Sequence, residues 1–310
     1  MENPDKNNYK LSNFFISFFD NFGKMFITNL LFNIPLIIFG GIVILISYLM
    51  GYINIFIVFL LIPIMSPFFA GLTYVCKKLT IKQKIQPAKD FFKGVKENFK
   101  YFIVNGLIFY VVAVGLWITF NFYRDNLEQP IIIAALVFSI IFGLYFLFME
   151  FLIPTMSVSV ELKFIQILKN AVVLTLAGFI NNLKTLISFM LVFSVIFTMF
   201  QLLGNPIINV IIIGLLVIIL LPVFCTYIVT FNSYQTIEKY VINPYIKEHI
   251  AEKQQEQKEN AVAEIDIDEL SELAQGNPDE FVFLNGRMLK RSAIQKMLEK
   301  RLNTKTDSRE

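Results

Sequence analysis

The sequence of 310 residues is 56% hydrophobic and 16% charged, with 34 phenylalanines and a formal net charge of +3. A soluble fold of this length cannot bury so much apolar surface, so the composition indicates a membrane protein whose solvent is lipid. The small positive charge averages a basic segment and a partly acidic tail, and it therefore indicates no nucleic-acid partner. No removable signal peptide is expected, because the first residues precede no short apolar core.

The chain begins with an aromatic segment, residues 1–24, which is predicted to be a cytoplasmic lead-in lying at the membrane interface. A transmembrane domain, residues 25–240, is predicted to follow it. No residue between 25 and 76 is charged, and this run is roughly twice the about 20–25 residues that one spanning helix uses. The run predicts two spans joined by a turn near Gly51 and Asn54.

A lysine-rich segment, residues 77–100, follows the second span. Short lysine-rich loops stay on the cytoplasmic side during insertion, so this loop and both chain termini are expected inside. Read as a helix, its last part carries lysines beside an apolar stripe, the pattern of an interfacial amphipathic helix. The lysine face consists of Lys89, Lys93, Lys96 and Lys100. It is either an anchor on anionic lipid headgroups or a docking surface for a partner.

The remaining apolar runs predict four more spans. Residues 101–123 form the third, and residues 130–151 form the fourth. The second cytoplasmic segment, residues 152–184, contains a charge-free stretch that is too short for a span and fits an interfacial or re-entrant segment. A second long charge-free run, residues 185–237, holds spans five and six with a turn at 204–206.

Similar short sequences precede three of the spans and suggest internal repetition. They are NFGKMF at Asn21, NFKYFI at Asn98 and NLKTLI at Asn182. A proline also recurs late in the second helix of each pair, at Pro63, Pro154 and Pro222. The pattern predicts an all-α fold of six transmembrane helices, arranged as three repeated hairpins with amphipathic lead-in helices. Chance similarity of apolar sequences is the alternative, and it leaves the count of six unchanged.

The composition becomes soluble at the end of the chain, and residues 241–310 form a predicted cytoplasmic tail. A charged helix and an acidic linker come first, and Asn285-Gly286 then favours a hairpin turn between short apolar runs. Ser292 with Gln295 resembles a capping box that opens a basic helix. The linker offers a weak, salt-sensitive latch for the lysine face. Its acidic residues are Glu264, Asp266, Asp268, Glu269 and Glu272.

The sequence carries no pattern for a reaction, so no enzyme, catalytic residue, cofactor or metal site is expected. It lacks a phosphate-binding Gly-Lys-Ser/Thr loop, and its single histidine, His249, lies in the polar tail. Polar residues inside spans are functional candidates. They are Glu150, Asn29, Asn33 and Asn105, with Asn181, Asn182 and Gln201 in addition. Glu150 is expected near the inner headgroups, and the amides either join helices by hydrogen bonds or line a polar cavity.

The run PFFAGLTYVCKKL, followed by DFFKGVKENFK, resembles the YesL-like family of bacterial membrane proteins. The positions that carry the resemblance are Gly71, Leu72, Tyr74, Val75, Phe91, Phe92, Lys96, Asn98 and Phe99. The later run LKNAVVLTLAGFINN is also similar to the family's second cytoplasmic segment, so the resemblance covers about residues 12–240. It implies a genomic context beside sugar ABC-transporter and polysaccharide-degrading genes in Gram-positive bacteria, and it implies no catalytic residue.

Two functions remain under consideration. The favoured one is an accessory or regulatory component associated with carbohydrate uptake by a sugar ABC transporter. The alternative is a small-molecule permease or transporter subunit, although neither cytoplasmic segment shows the Glu-Ala-Ala-type motif of a permease driven by a separate ATPase. The expected partners are anionic lipid headgroups and components of a sugar ABC transporter. The expected location is the cell membrane, with both termini in the cytoplasm.

Overall fold

The computed structural model describes residues 9–124, 129–203, 205–248, 250, 267–284 and 287–307. The chain divides into two compact units, Met1–Ile242 and Asn243–Glu310. The helices of the larger unit are α1 (Leu11–Asp20), α2 (Phe22–Met50), α3 (Ile55–Phe59), α4 (Leu61–Thr80), α5 (Pro87–Arg124), α6 (Pro130–Ser159), α7 (Phe164–Ala177), α8 (Phe179–Leu203), α9 (Pro206–Ile219) and α10 (Leu221–Ile237). A π-helical segment, Glu238–Ile242, continues α10.

The larger unit is an all-α polytopic membrane fold, as the composition predicts. Within the described parts of the chain, five helical stretches are long and apolar enough to cross a membrane. The count becomes six when α9 and α10, which meet at an angle of 53°, are taken as one broken span. Large apolar side chains such as Phe138 and Phe197 are exposed along α6 and α8. Such faces are stable only against lipid.

The predicted turn between the first two spans lies between α2 and α3. Gly51 ends α2 in a left-handed conformation with φ of 72°, which glycine adopts without a Cβ clash. The side chain of Asn54 then caps α3 by accepting a hydrogen bond from the amide of Phe56. At the other predicted turn, Asn205 caps α9 in the same way, and Gly204 lies outside the described residues.

The last part of the lysine-rich segment is helical, as predicted, but this helix is continuous with the third span. Residues 81–86 alone separate α4 from α5, and α5 runs without a break through the lysine-rich segment into the third span. Lysine and glutamate are good helix formers, so a change of composition there does not end the helix. With 38 residues, α5 is about 57 Å long and exceeds the roughly 30 Å hydrocarbon core.

Two boundaries in the second cytoplasmic segment also differ from the prediction. The fourth span was expected to end near Phe151, yet α6 contains Pro154 and continues to Ser159. The fifth span was expected from Thr185, yet α8 begins at Phe179. The polar residues at these ends form additional helical turns beyond the apolar run. The charge-free stretch expected to be interfacial or re-entrant, residues 170–183, is divided between α7, which ends at Ala177, and the first turns of α8.

The second helices of the three predicted hairpins meet at the centre of the larger unit. There α4, α6 and α10 contact one another. The largest fully buried side chain of the core is Tyr227 of α10, whose ring stacks on Phe14 of α1 at 4.5 Å between centroids. The lead-in helix α1 therefore buries one face against the last helix, while Phe19 on its other face is exposed. The proposed repetition in sequence stays a prediction.

Small residues let α4 and α5 pack closely against each other. A Cβ atom added to Gly94 would lie 2.6 Å from the Cβ of Tyr74 and 2.9 Å from the carbonyl oxygen of Ala70. A Cβ atom added to Gly106 would lie 2.6 Å from the hydroxyl of Ser66. Close approach of backbones at small residues is a main source of helix association in lipid. These contacts fix the two helices as one rigid hairpin.

The smaller unit contains α11 (Ile267–Leu273), β1 (Phe281–Leu284), β2 (Arg287–Lys290) and α12 (Arg291–Asp307). The two strands pair antiparallel, with Leu284 opposite Arg287, and the turn residues between them lie outside the described ones. The predicted capping box is wrong, because Ser292 lies inside α12 and the Gln295 amide donates to the carbonyl of Ala274. His249, Glu264 and Asp266 also fall outside the described residues, so the latch stays a prediction.

Candidate functional site

The lysine-rich segment is held by a buried ion pair at the α4–α5 turn. The ammonium of Lys78 lies 2.8 Å from the carboxylate of Asp90, whose side chain is 7% exposed. The backbone amide of Gln86 donates to the same carboxylate oxygen at 2.7 Å. An acidic residue in the first turn also complements the positive end of the helix dipole. The first turn of α5 is therefore fixed to the end of α4.

A second lysine of the predicted loop binds another helix. The ammonium of Lys77 donates to the backbone carbonyl of Val158 at 3.0 Å. This carbonyl belongs to the last turn of α6, where backbone acceptors lack helical partners and favour a cation. Lys77 therefore joins the end of α4 to the end of α6, a contact that its position in the sequence does not indicate.

The four residues of the lysine face lie on one side of α5, and all are exposed. Lys93 lies 5.7 Å from the ring centroid of Tyr74 and 3.8 Å from the carboxylate of Glu97. The spacings of four, three and four residues place the face along about 16 Å of helix. The face is thus a continuous basic strip on a fixed helix.

The predicted apolar stripe beside the lysines divides into two faces. Phe91 and Phe102 are buried against α4 and its neighbours, whereas Phe92 and Phe99 are exposed. The buried pair fixes the rotation of α5 about its axis. The exposed pair lies between the protein-facing side and the lysine face, as expected for a segment that crosses the headgroup region.

A cavity of about 600 Å³ lies among α2, α4, α5, α6, α8 and α10. Its walls are mainly apolar and include six phenylalanines, Phe32, Phe69, Phe102, Phe109, Phe151 and Phe189. Glu150 is the single carboxylate among its described lining residues, and no lysine, arginine or histidine lies among them. The cavity is thus an apolar, aromatic chamber with one acidic group.

Glu150 and Asn105 form a hydrogen-bonded pair in the cavity wall, whose other polar residues carry hydroxyl groups, namely Ser66, Thr73, Thr155, Thr226 and Thr230. The Asn105 amide donates to one carboxylate oxygen of Glu150 at 2.8 Å. The other carboxylate oxygen of Glu150, the amide oxygen of Asn105 and the hydroxyl of Thr155 are buried and have no hydrogen-bond partner within the described structure. Pro154 has no N–H, so the Glu150 carbonyl one turn before it lacks its usual helical donor. The Glu150–Asn105 pair thus keeps two side-chain oxygens without a donor among the described residues.

Glu150 lies within the bundle, against α5, where its carboxylate accepts the hydrogen bond from Asn105. It lies about 30 Å after the start of α6 at Pro130 and about 14 Å before the end of the helix at Ser159. Its predicted position near the inner headgroups stays a prediction, because the end of a helix does not mark the edge of the roughly 30 Å hydrocarbon core.

Asn29 and Asn33 of α2 contact the break between α9 and α10. The Asn29 amide donates to the carbonyls of Val217 and Ile218 at 2.9 and 2.7 Å, and its oxygen accepts from the amide of Val223 at 2.9 Å. The Asn33 amide donates to the Ile218 carbonyl at 3.1 Å. Backbone groups at a helix break inside a membrane need such partners. These two asparagines therefore join helices.

The other predicted polar residues are not brought to the cavity. The Asn181 amide donates to the hydroxyl of Thr236 in α10 at 3.0 Å, and the Asn182 amide donates to the carbonyl of Thr175 in α7 at 3.3 Å. Gln201 is exposed. The sequence reading missed the aromatic walls and Thr155, although a proline four residues after Glu150 is visible in the sequence and indicates a freed carbonyl.

The fold and the cavity define a polytopic α-helical membrane protein with an internal aromatic chamber. Residues 46–122 match a family model described as a protein of unknown function, DUF624. The chain is therefore similar to that family over the end of α2, all of α3 and α4, and nearly all of α5. None of the curated proteins and none of the solved structures matches the chain. In the described part of the chain, no group of three or more His, Cys, Asp or Glu residues is placed to hold a metal ion.

Proposed function

We propose that the protein is an accessory or regulatory component of the cell membrane that docks a cytoplasmic partner through the lysine face. The partner class is a component of a sugar ABC transporter, and the protein acts in association with carbohydrate uptake. The resemblance to the YesL-like family supports this context, and the match to a family of unknown function covers the hairpin that carries the face. Both termini lie in the cytoplasm in this proposal, because lysine-rich segments stay inside.

The observation that carries the proposal is that the lysine face stands on a helix packed closely against α4. An anchor on anionic headgroups needs only positive charge near the membrane, and a mobile loop supplies it equally well. Here the lysines stand on α5, which the Lys78–Asp90 ion pair and the close contact at Gly94 fix to α4. A fixed basic strip matches an acidic surface of defined shape, which is the property of a docking site.

The test replaces all four residues of the lysine face with glutamine and captures the full-length protein from native membranes. The matched control replaces four other exposed lysines, Lys84, Lys163, Lys169 and Lys184. We expect the lysine-face variant to lose its transporter partner about tenfold, since rim charges act through association and specificity. The control variant is expected to retain the partner. Labelling of a cysteine introduced at Gly51 from one side of oriented vesicles checks that both variants keep their topology.

Two results would overturn the proposal. One is equal partner recovery from the lysine-face variant and the control, which would reduce the face to an anchor. The other is a captured set without transporter subunits.

The cavity favours the alternative function, a small-molecule permease. An internal chamber beside a broken helix is typical of transporters, whose substrates bind near such breaks. Liposomes that contain the purified protein alone separate the two functions. Substrate accumulation under an ion gradient supports the permease, and its absence together with partner capture supports the accessory component.

A further inference from the structure

The polar side chains beside Glu150 in the cavity wall contain acceptors without donors. Glu150, Asn105 and Thr155 each hold a buried oxygen without a partner among the described residues. Two of these groups, the Asn105 oxygen and the carboxylate, cannot donate while Glu150 is ionised. Unsatisfied buried acceptors are destabilising unless a donor reaches them. A ligand for this site therefore brings N–H or O–H groups.

The aromatic walls add a preference for positive charge. The electron-rich faces of phenylalanine rings attract an ammonium group, most strongly where water is excluded. Six phenylalanines and one carboxylate surround the chamber, and no basic side chain lies among its described lining residues. An anion would meet no compensating charge there. A sugar would leave most of its hydroxyl groups unpaired against phenylalanine.

We propose that this cavity binds a lipophilic cation, an organic ammonium with an aromatic or alkyl body, through the Glu150 carboxylate. The ammonium donates to the Glu150 carboxylate. The apolar body occupies the phenylalanine-lined remainder. A volume of about 600 Å³ matches the pockets of about 300–1,000 Å³ that hold small organic ligands. The site is independent of the lysine face and goes beyond the proposed docking function.

The entry route follows from the exposure of the walls. Phe69, which lines the cavity on α4, is 40% exposed. In a membrane this opening faces lipid, where amphiphilic cations concentrate with their charge at the interface. The ligand therefore reaches the chamber from the bilayer.

A native cysteine reports occupancy. Cys225 lines the cavity and is partly exposed, whereas Cys76 is buried. The experiment follows alkylation of the two thiols by N-ethylmaleimide in phosphatidylcholine nanodiscs, read by peptide mass spectrometry. Three probes of similar shape are compared, namely naphthylethylammonium, naphthylethanol and naphthylacetate. We expect the ammonium to slow alkylation of Cys225 at concentrations about tenfold below those that the alcohol or the anion needs.

Two variants with one carboxyl replaced test the role of Glu150. Glu150→Gln keeps the acceptor for Asn105 but removes the charge, so the ammonium should lose its advantage over the alcohol, about tenfold. Glu161→Gln changes an exposed carboxylate just beyond α6 and should behave as the parent protein.

Two outcomes would overturn the proposal. The first is equal protection of Cys225 by the ammonium and the alcohol in the parent protein. It would mean that the probes enter the cavity only through their apolar bodies, and it needs no variant. In Glu150→Gln, unchanged protection by the ammonium would exclude the carboxylate as its partner.

Discussion

Two helices of the same bundle contain a proline that cannot donate to the carbonyl four residues before it, and the two carbonyls have different surroundings. In α10, Pro222 cannot donate to the carbonyl of Ile218, and Asn29 and Asn33 from α2 satisfy that carbonyl and its neighbour. In α6, Pro154 removes the helical donor of the Glu150 carbonyl, and oxygens of Glu150, Asn105 and Thr155 lack donors among the described residues. In the first region the chain supplies the hydrogen bonds that the backbone needs. In the second region, buried oxygens have no partner among the described residues.

The role of a polar residue inside a membrane depends on how many hydrogen-bond partners it has. An asparagine with two or three partners on another helix contributes to the fold, because leaving those backbone groups unpaired in lipid is unfavourable. A carboxylate with one partner and an unsatisfied oxygen beside a cavity contributes little to the fold. The α4–α5 contact at Gly94 also contributes to the fold, since both of its sides belong to the chain. Three substitutions test the difference between these structural contacts and the Glu150 region.

The largest loss of stability is expected at the break between α9 and α10. Asn29→Ala removes two donated bonds and one accepted bond, and it leaves the buried amide of Val223 unpaired, while Asn33 still donates to the carbonyls of Val217 and Ile218. The free energy of unfolding should therefore fall by about 2–3 kcal/mol. Unfolding in mixed detergent micelles measures this change. Asn121→Ala, which removes an amide bonded only within its own helix, should change stability by less than about 0.5 kcal/mol. Equal losses in the two variants would contradict the role of Asn29.

A smaller loss is expected where α4 meets α5. In Gly94→Ala the new methyl group meets Tyr74 and the Ala70 backbone below 3.0 Å, so the helices must separate. Overpacking of this kind lowers the free energy of unfolding by about 1–2 kcal/mol. Gly115→Ala on the same helix meets nothing within 4 Å and should be neutral or slightly stabilising. If both substitutions are neutral in the same unfolding assay, the close contact does not hold the hairpin.

The smallest effect is expected at Glu150, where the free energy of unfolding should rise and not fall. Glu150→Gln keeps the bond from Asn105 but removes a buried charge, so the free energy of unfolding should rise by about 0.5 kcal/mol. Glu97→Gln, which removes an exposed pair with Lys93, should lower it slightly or leave it unchanged. A clear loss of stability in Glu150→Gln would make the carboxylate structural and remove the contrast between the two regions.

Features that depend on local composition could be predicted from the sequence. The all-α membrane class and the turn at Gly51 and Asn54 follow from apolar runs and turn residues that are adjacent in the chain. The length of α5 could not, because a change from apolar residues to lysine marks where lipid ends and carries no signal that ends a helix. Helix ends after Pro154 depend on neighbours that supply or withhold hydrogen bonds.

The candidate site was predicted only in part, for a related reason. Glu150, Asn29, Asn33 and Asn105 stand out as polar residues in apolar runs. Nothing local distinguishes Asn29, which binds a helix break, from Asn105, which binds Glu150. Their partners lie far away in sequence, 188 positions for Asn29 and Val217, and 45 for Asn105 and Glu150. The cavity walls come from six helices, and phenylalanine is too common here to single out the members.

The join between α2 and the last span also sets an order of events during synthesis. α2 leaves the ribosome first, and the carbonyl that Asn29 binds follows 188 residues later. At about 5–20 residues per second, this delay is about 10–40 s. Throughout this interval the amides of α2 must be satisfied by water, headgroups or the insertion machinery. The broken span, once it emerges, becomes stable in the membrane only after it meets a helix that was inserted 188 residues earlier.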